Sequence, residues 1–249
     1  MITPAGTQRI AVVVPCLNEG APIASVVREL QAQHVDDIIV VDNGSTDDTA
    51  AQAAAAGARV VSQPQRGYGR ACAAGVAAVT PDTDIVCFLD GDGSDVPDFL
   101  PAIVGPVASG QADFVMGSRV RGKREPGSMT PQQMVAGRLA GILLRATYGA
   151  SFTDMSPFRA IRLDCLRTLG MSEQTFGWNL EMQMRVAAAG LRLLEIPVDH
   201  RLRRGGVSKV SGNLAAGLRA AWVISTTFLR LATSLRSQPP ARTFQRSAK

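Results

Sequence analysis

Histidine, cysteine and aromatic residues are all scarce in this chain: 2 His, 4 Cys and 5% Phe, Trp and Tyr among 249 residues. So few aromatics leave no basic and aromatic interleaving, and no RNA-module signature is present, which argues against a nucleic-acid partner. Cys16, Cys72, Cys87 and Cys165 show no metal-type spacing and no Cys-x-x-Cys pair. Three of them stand in apolar stretches, so they read as reduced core residues of a cytosolic protein. No run approaches the roughly 18 uninterrupted apolar residues of a spanning helix. The N-terminus has no basic segment followed by an apolar one, so no secretory signal is expected. No internal repeat is present.

What the chain does have is aliphatic bulk and positive charge. Apolar residues make up 46% and charged ones 19%, enough for one large domain with an appendage. Lysine and arginine number 26 against 21 acids, a net charge of +5. Many of the arginines follow residue 118. That unevenness favours a local anion site over a general basic surface.

Short apolar runs alternate with helical spacing. Ile10–Val14, Asp37–Val41, Arg59–Val61, Ile85–Leu89 and Asp113–Met116 read as strands. Segments from about Ala21 to Gln33, up to Gly57, Gly67 to Val79, Pro97 to Ser109, Pro131 to Tyr148 and Gly177 to Ala189 read as helices. Ser45 or Thr46 is a candidate cap for the second of these. Phe158–Ile161 and Leu191–Pro197 read as further strands, and the Gly- and Arg-rich stretch Gly117–Gly127 as a mobile loop beside a site. Runs buried on both faces, with helices between them, predict an α/β fold with a mostly parallel sheet.

The strongest chemical signal is Asp90-Gly91-Asp92-Gly93-Ser94-Asp95 directly after the run that ends at Leu89. Carboxylates just past a strand's end converge at the rim of a parallel sheet, where open α/β folds place their ligands. Two carboxylates spaced by glycine suit a hard divalent cation held against a diphosphate, the manner in which Mg²⁺ keeps phosphate oxygens and water in its shell. An acidic turn with no ligand is the plainer alternative.

Further motifs stand in order along the chain: Val13-Val14-Pro15-Cys16-Leu17-Asn18-Glu19, Val40-Val41-Asp42-Asn43-Gly44-Ser45, Gly67-Tyr68-Gly69-Arg70-Ala71, Leu89-Asp90-Gly91-Asp92, Gly117-Ser118-Arg119, Asp154-Met155-Ser156-Pro157-Phe158-Arg159 and Gly206-Val207-Ser208-Lys209. Taken together they resemble the family 2 glycosyltransferases with the GT-A fold. Among these, the chain is most similar to the dolichyl- and polyprenyl-phosphate mannose and glucose synthases. The resemblance spans about Ile10 to Gly212. It implies a GT-A domain over residues 1–212, an amphipathic helical segment over 213–237 and a disordered tail over 238–249.

What the resemblance implies about the site follows residue by residue. Pro15, Asn18, Glu19, Asp42, Gly67, Arg70, Asp90 and Gly91 would surround the nucleotide sugar. Asp90 and Asp92 would hold Mg²⁺ or Mn²⁺. Gly93-Ser94 stands where relatives carry Leu-Gln, so Ser94, Asp95 or water would complete the shell. Arg119, Arg138, Arg203, Ser208 and Lys209 would face phosphates. The catalytic set would be Asp90, Asp92, Arg119, Asp154 and Glu181. Asp154 would orient the sugar or the arginines. Glu181 would be the base if the acceptor is a hydroxyl, which must lose a proton; otherwise it is a first-turn acid or a partner for Arg185.

The resulting expectation is a metal-dependent, inverting transfer of a hexose from a UDP- or GDP-sugar to a polyprenyl phosphate. The apolar stretch Ala220–Leu229 adds to it: too short to span, it could lie at a membrane interface, with Arg219, Arg230 and Arg236 toward anionic headgroups on the inner face. Core packing or homodimer formation is the alternative for that stretch. Three other functions stay open: transfer to a sugar hydroxyl or small soluble acceptor with Glu181 as base, a sugar nucleotidyltransferase, and a non-catalytic nucleotide-sugar binder.

Overall fold

Apolar side chains along each strand divide by the period of two that a pleated strand imposes. In the computed structural model, which describes residues 8–205, 222 and 225–233, that division builds two cores on the two faces of one sheet. Its strands are β1 (Ile10–Cys16), β2 (Asp37–Asp42), β3 (Arg59–Ser62), β4 (Ile85–Phe88), β5 (Phe114–Ser118), β6 (Arg159–Arg162) and β7 (Leu193–Pro197). Its helices are α1 (Gly20–Gln31), α2 (Thr49–Ala55), α3 (Tyr68–Ala78), α4 (Leu100–Ala108), α5 (Pro131–Tyr148), α6 (Leu163–Leu169) and α7 (Trp178–Ala188). Val13, Val41, Phe88, Met116 and Ile161 face one way, onto Cys72 of α3, Leu144 of α5 and Trp178 and Met182 of α7. Val12, Val14, Val40, Cys87 and Val115 face the other way, onto Ile23, Val27 and Leu30 of α1 and Ile103 and Val107 of α4. Each such fully buried aliphatic contributes about 1.5–3 kcal/mol of burial free energy.

The strand order is β3-β2-β1-β4-β6-β5-β7. β6 alone runs antiparallel to its neighbours, with Phe88 opposite Arg159 and Met116 opposite Arg159 on its two sides; the other pairings are parallel. The mostly parallel sheet flanked by helices is the architecture expected from the sequence. β1 carries the chain to β2 and β3 on one side, and β4 opens the other side. The carboxyl ends of β1 and β4 therefore flank a topological switch point, where such sheets leave a crevice. Because β6 is reversed, the segment before it, Asp154–Phe158, comes to the same edge as the residues after β1, β2, β4 and β5.

Local chemistry accounts for the element ends. Thr130 and Gln133 form a reciprocal capping box at the start of α5, Pro131 takes its first position, and Gly149 closes it at φ 71°. Some expectations shift. Pro97–Phe99 is a 3₁₀ turn leading into α4. α6 starts directly after β6, and its seven residues are too few for a periodic signal. Neither Ser45 nor Thr46 caps α2: the Ser45 hydroxyl accepts from the Asn18 N–H at 2.9 Å, and it is Asp47 that accepts from the Thr49 N–H at 3.1 Å. The Gly117–Gly127 segment is tied down rather than loose: Lys123 N–H donates to Asp199 at 2.9 Å and Glu125 N–H to the His200 carbonyl at 2.9 Å.

Candidate active site

Four loops meet at the switch point, and side chains fasten them to one another. Asn18 turns the chain out of β1 at φ 53°; its side chain accepts from the Thr46 N–H at 2.8 Å. Asp42, at the end of β2, accepts from the Ser45 N–H at 3.1 Å. Asn43 is buried and donates to the carbonyls of Gln63 and Gln65 at 2.9 and 2.8 Å, while accepting from the Gly67 N–H at 2.7 Å. One amide side chain thus joins the ends of β2 and β3 to the start of α3. Pro15 is the penultimate residue of β1 and is itself buried in the sheet. Arg70 donates to Gln65 at 2.7 Å on the outer side of the same turn.

The acidic loop lies against this frame. A side chain at Gly91 would strike the Cys16 sulfur, and one at Gly67, which sits at φ 152°, would strike the Gln174 carbonyl. Both glycines are therefore required by packing. Asp90 accepts from the Tyr68 hydroxyl at 3.1 Å, and its N–H donates to Asp95 at 3.2 Å. Enclosure by protein, then the nearby charges of Asp95 and Asp92, push the Asp90 carboxyl well above the usual carboxylate range. A bound cation would reverse that sign. Asp92 directs one oxygen back to the Ser94 N–H and hydroxyl, at 2.9 and 2.6 Å. Its other oxygen lies 3.4 Å from Arg203, which also reaches Glu19 at 3.0 Å.

The remaining expected residues take distinct places. Arg119 and Asp154 are joined by a two-pronged pair at 2.8 and 2.9 Å, and the Arg119 N–H adds a third bond at 3.0 Å. Burial opposes the Asp154 charge, but the Arg119 guanidinium overrides it and holds the carboxyl below its ordinary value. Glu181 is 0% exposed. It accepts from the Ser172 N–H at 3.0 Å, the Ser172 hydroxyl at 2.8 Å, the Glu173 N–H at 2.7 Å and Arg185 at 2.9 Å. Both oxygens are thus engaged in holding the 172–173 turn and α7 together, which is the alternative its first-turn position allowed. Arg138 stands on the exposed face of α5. Ser208 and Lys209 lie outside the described residues, as do most of the 213–237 segment and all of 238–249.

Several contributors were not singled out from the sequence. Tyr68 reaches Asp90 because two flanking glycines let α3 begin close to the loop at Gln174. Arg159 is 0% exposed, lies 6.0 Å from the Phe114 ring centroid and donates to the carbonyls of Ser156 and Asn179. Burial pushes this guanidinium down to about 10. A lone arginine inside an apolar strand was the available signal. His200 and Asp95 are both buried, with Nδ1 and Oδ1 3.7 Å apart behind the acidic loop. Glu173 accepts from Thr175, from Thr227 at 3.2 Å and from Arg230 at 2.6 Å, and so fastens helical residues 225–233 to the 173–175 turn.

A sheet of this order, with paired aspartates and an arginine at its switch point, defines a nucleotide-sugar-binding α/β enzyme. The chain belongs to glycosyl transferase family 2, which it matches over residues 11–170. It is 40% identical over 215 residues to an uncharacterized glycosyltransferase of Mycobacterium tuberculosis, covering 85% of this chain and 94% of the relative. Glucosyl-3-phosphoglycerate synthase of the same organism, solved with Mn²⁺, UDP-glucose and phosphoglyceric acid, superposes with a TM-score of 0.72 at 26% identity over 91% of this chain and 80% of that one. The undecaprenyl-phosphate mannosyltransferase of Micrococcus luteus is 30% identical over 86% of this chain and 96% of its own length. The family therefore includes lipid-directed members.

The structural likeness nevertheless overturns the expected polyprenyl-phosphate acceptor and the narrower kinship with lipid-phosphate synthases, because the superposed enzyme takes a small soluble acid. Asp154 is bound to Arg119, a contact its expected role of orienting the arginines allows, while Arg201 and Arg204 are both paired with Glu29. Arg230, expected to face headgroups, is held by Glu173. Among the described residues, no helix is long and apolar enough to cross a membrane.

The Glu181 geometry carries a test. Glu181→Gln is expected to lower thermal stability by about 1–3 kcal/mol through weakened charge-assisted bonds. It should leave kcat within a few-fold and the shape of the pH profile unchanged, whereas loss of a general base costs about 10²–10⁴-fold. Thermal melts beside kcat against pH separate the two roles.

Proposed function

We propose that this enzyme moves a glucosyl group from UDP-glucose to a hydroxyl of a small, soluble, acidic acceptor of the phosphoglycerate kind. One observation carries the reading: the sheet edge that holds Asp90, Asp92 and Arg119 belongs to a fold that superposes on a synthase bound to Mn²⁺, UDP-glucose and phosphoglyceric acid. The basic balance of the chain, +5 overall, suits an anionic donor and an anionic acceptor together.

The donor set fits a divalent cation. Among the described residues, no three His, Cys, Asp or Glu side chains gather closely enough to hold an ion alone. Asp90 and Asp92 supply two hard oxygen donors, which is what Mg²⁺ or Mn²⁺ takes from protein when substrate phosphate fills the rest of its shell. The Asp90 carboxyl, pushed up by enclosure and by the neighbouring charges of Asp95 and Asp92, marks a place that favours a cation. When bound, the cation supplies Lewis-acid neutralisation of the diphosphate that leaves.

The protein's own groups do the rest. Tyr68 holds Asp90 in place, and Ser94 fixes one oxygen of Asp92, leaving the other beside Arg203. Asp154 holds Arg119 at the edge as a preorganised positive charge, ready for developing negative charge on phosphate. Asn18, Glu19 and Asp42, with Pro15 behind them in β1, are assigned to the nucleoside, and Arg203, Ser208 and Lys209 to the diphosphate. Catalysis is assigned to residues 1–212.

The test is a panel of UDP- and GDP-sugars with Mn²⁺, each offered 3-phosphoglycerate, glycerol 3-phosphate, free sugars or a polyprenyl phosphate. UDP release and products would be followed by mass spectrometry. Glucosylated phosphoglycerate formed with UDP-glucose is the expected result, and its anomeric configuration reports the stereochemistry. Transfer only into the organic phase, or none to any soluble acid, would overturn the proposal.

A further inference from the structure

Of the four arginines around the acidic loop, three form their ion pairs with carboxylates outside it. Arg119 makes three hydrogen bonds to Asp154. Arg201 and Arg204 are paired with Glu29 on α1, and Arg204 also donates to Ser25 at 2.8 Å. Arg203 differs. Its guanidinium donates to Glu19 at 3.0 Å and to the Gly205 carbonyl at 2.9 Å, and it lies 3.4 Å from Asp92, a longer contact between two partly exposed side chains.

The segment that carries Arg203 is bonded to the acidic loop by its backbone. Arg201 N–H donates to the Ser94 carbonyl at 3.0 Å and Arg204 N–H to the Asp92 carbonyl at 2.9 Å. The Arg201 side chain adds a bond to the Gly93 carbonyl at 2.9 Å. These bonds fix the backbone on both sides of Arg203, so its side chain can change partner without the segment leaving.

We propose that Arg203 is the resident counter-ion of the acidic loop: without metal it holds the cation's place on Asp92, and on metal binding it turns to the donor's diphosphate. The inference rests on the reading of Asp92 as a metal-binding residue. The physical reason is charge. Asp92 shares its loop with Asp90 and Asp95, and a single guanidinium at 3.4 Å offsets part of that repulsion. A divalent ion on Asp92 both replaces Arg203 and repels it. The diphosphate arriving with the ion offers the guanidinium a two-pronged partner, the geometry it prefers. Loading of metal and of nucleotide is then coupled through one side chain, and by linkage the coupling is reciprocal.

The experiment measures Mn²⁺ binding to the full-length protein by the loss of the free-ion EPR signal at low salt, with and without UDP. Wild type is compared with Arg203→Gln, Arg203→Lys and Asp92→Asn. Without UDP, Arg203→Gln is expected to bind Mn²⁺ about threefold tighter, the scale of releasing one partly exposed ion pair. Arg203→Lys should stay near wild type. With Mn²⁺ present, Arg203→Gln should bind UDP about tenfold more weakly, because a charge-assisted phosphate contact is gone. If wild type binds Mn²⁺, Asp92→Asn does not, and Arg203→Gln binds it no tighter than wild type, the counter-ion role is overturned while the metal site stands. If wild type binds no Mn²⁺, or Asp92→Asn binds it equally well, the reading of Asp92 falls and this inference with it.

Discussion

Replacing Asp92 with Asn is expected to lower kcat/KM for sugar transfer by about 10²–10³-fold, the usual scale for removing one preorganised group that stabilises charge developing on a leaving oxygen. Asn keeps the shape and can still receive the Ser94 bonds that fold the loop back on itself. What it removes is the negative charge, including that on the oxygen beside Arg203. Asp90 alone would then face the cation, and its carboxyl is enclosed and already disfavoured as an anion.

The same substitution should not unfold the protein. It relieves repulsion among Asp90, Asp92 and Asp95, and it frees Arg203 to remain on Glu19 at 3.0 Å. The melting temperature is therefore expected to stay the same or rise slightly, while activity collapses. Steady-state kinetics over a range of Mn²⁺ concentration checks this beside a thermal melt. A loss of activity that high Mn²⁺ restores in full would mean that Asp92 governs only metal affinity. A parallel loss of stability would mean that it is a structural acid.

Much of this arrangement was legible before any coordinates. The buried runs at Ile10–Val14, Asp37–Val41 and Ile85–Leu89 announced parallel strands, and their alternation with helices placed Asp42 and Asp90 together at the carboxyl edge. The helix over 131–148 has the bounds read from the sequence. Roles that depend on contacts distant in sequence were not legible. The i+4 spacing of Glu181 and Arg185 is local, yet the bonds from Ser172 and Glu173 that occupy both Glu181 oxygens come from a turn the sequence did not mark. The bond from the buried Arg159 to the Asn179 carbonyl likewise joins segments distant in sequence. The acceptor was the least legible part. A basic loop reads the same whether its arginines meet a lipid phosphate, a soluble acid or Glu29, and only the fold separates Arg203 from Arg201 and Arg204.

Asp154→Ala is expected to have the other large effect, on both stability and activity. Asp154 is 1% exposed and meets Arg119 through three hydrogen bonds, with the Met155 N–H adding a fourth at 2.7 Å. Removing the carboxylate strands a buried guanidinium, a loss of about 3–5 kcal/mol when one partner of a buried pair is deleted. Arg119 would also lose the three bonds that hold it at the sheet edge, so, with Arg119 in the proposed phosphate-facing role, kcat should fall at temperatures where the variant stays folded. Asp154→Asn keeps part of the bonding and should cost less on both counts, which separates the charge from the packing. The sign of the pH dependence follows from the lowered carboxyl. Its stabilisation is fully present above the unfolded value of about 3.9 and is lost as pH falls through the lower folded value. The stability gap between wild type and Asp154→Asn should therefore be constant near neutrality and narrow only below about pH 4. Urea unfolding at a series of pH values reads the gap directly. A gap that closes between pH 6 and 8 would mean that a different group titrates there and that the Arg119–Asp154 pair does not hold this edge of the site together.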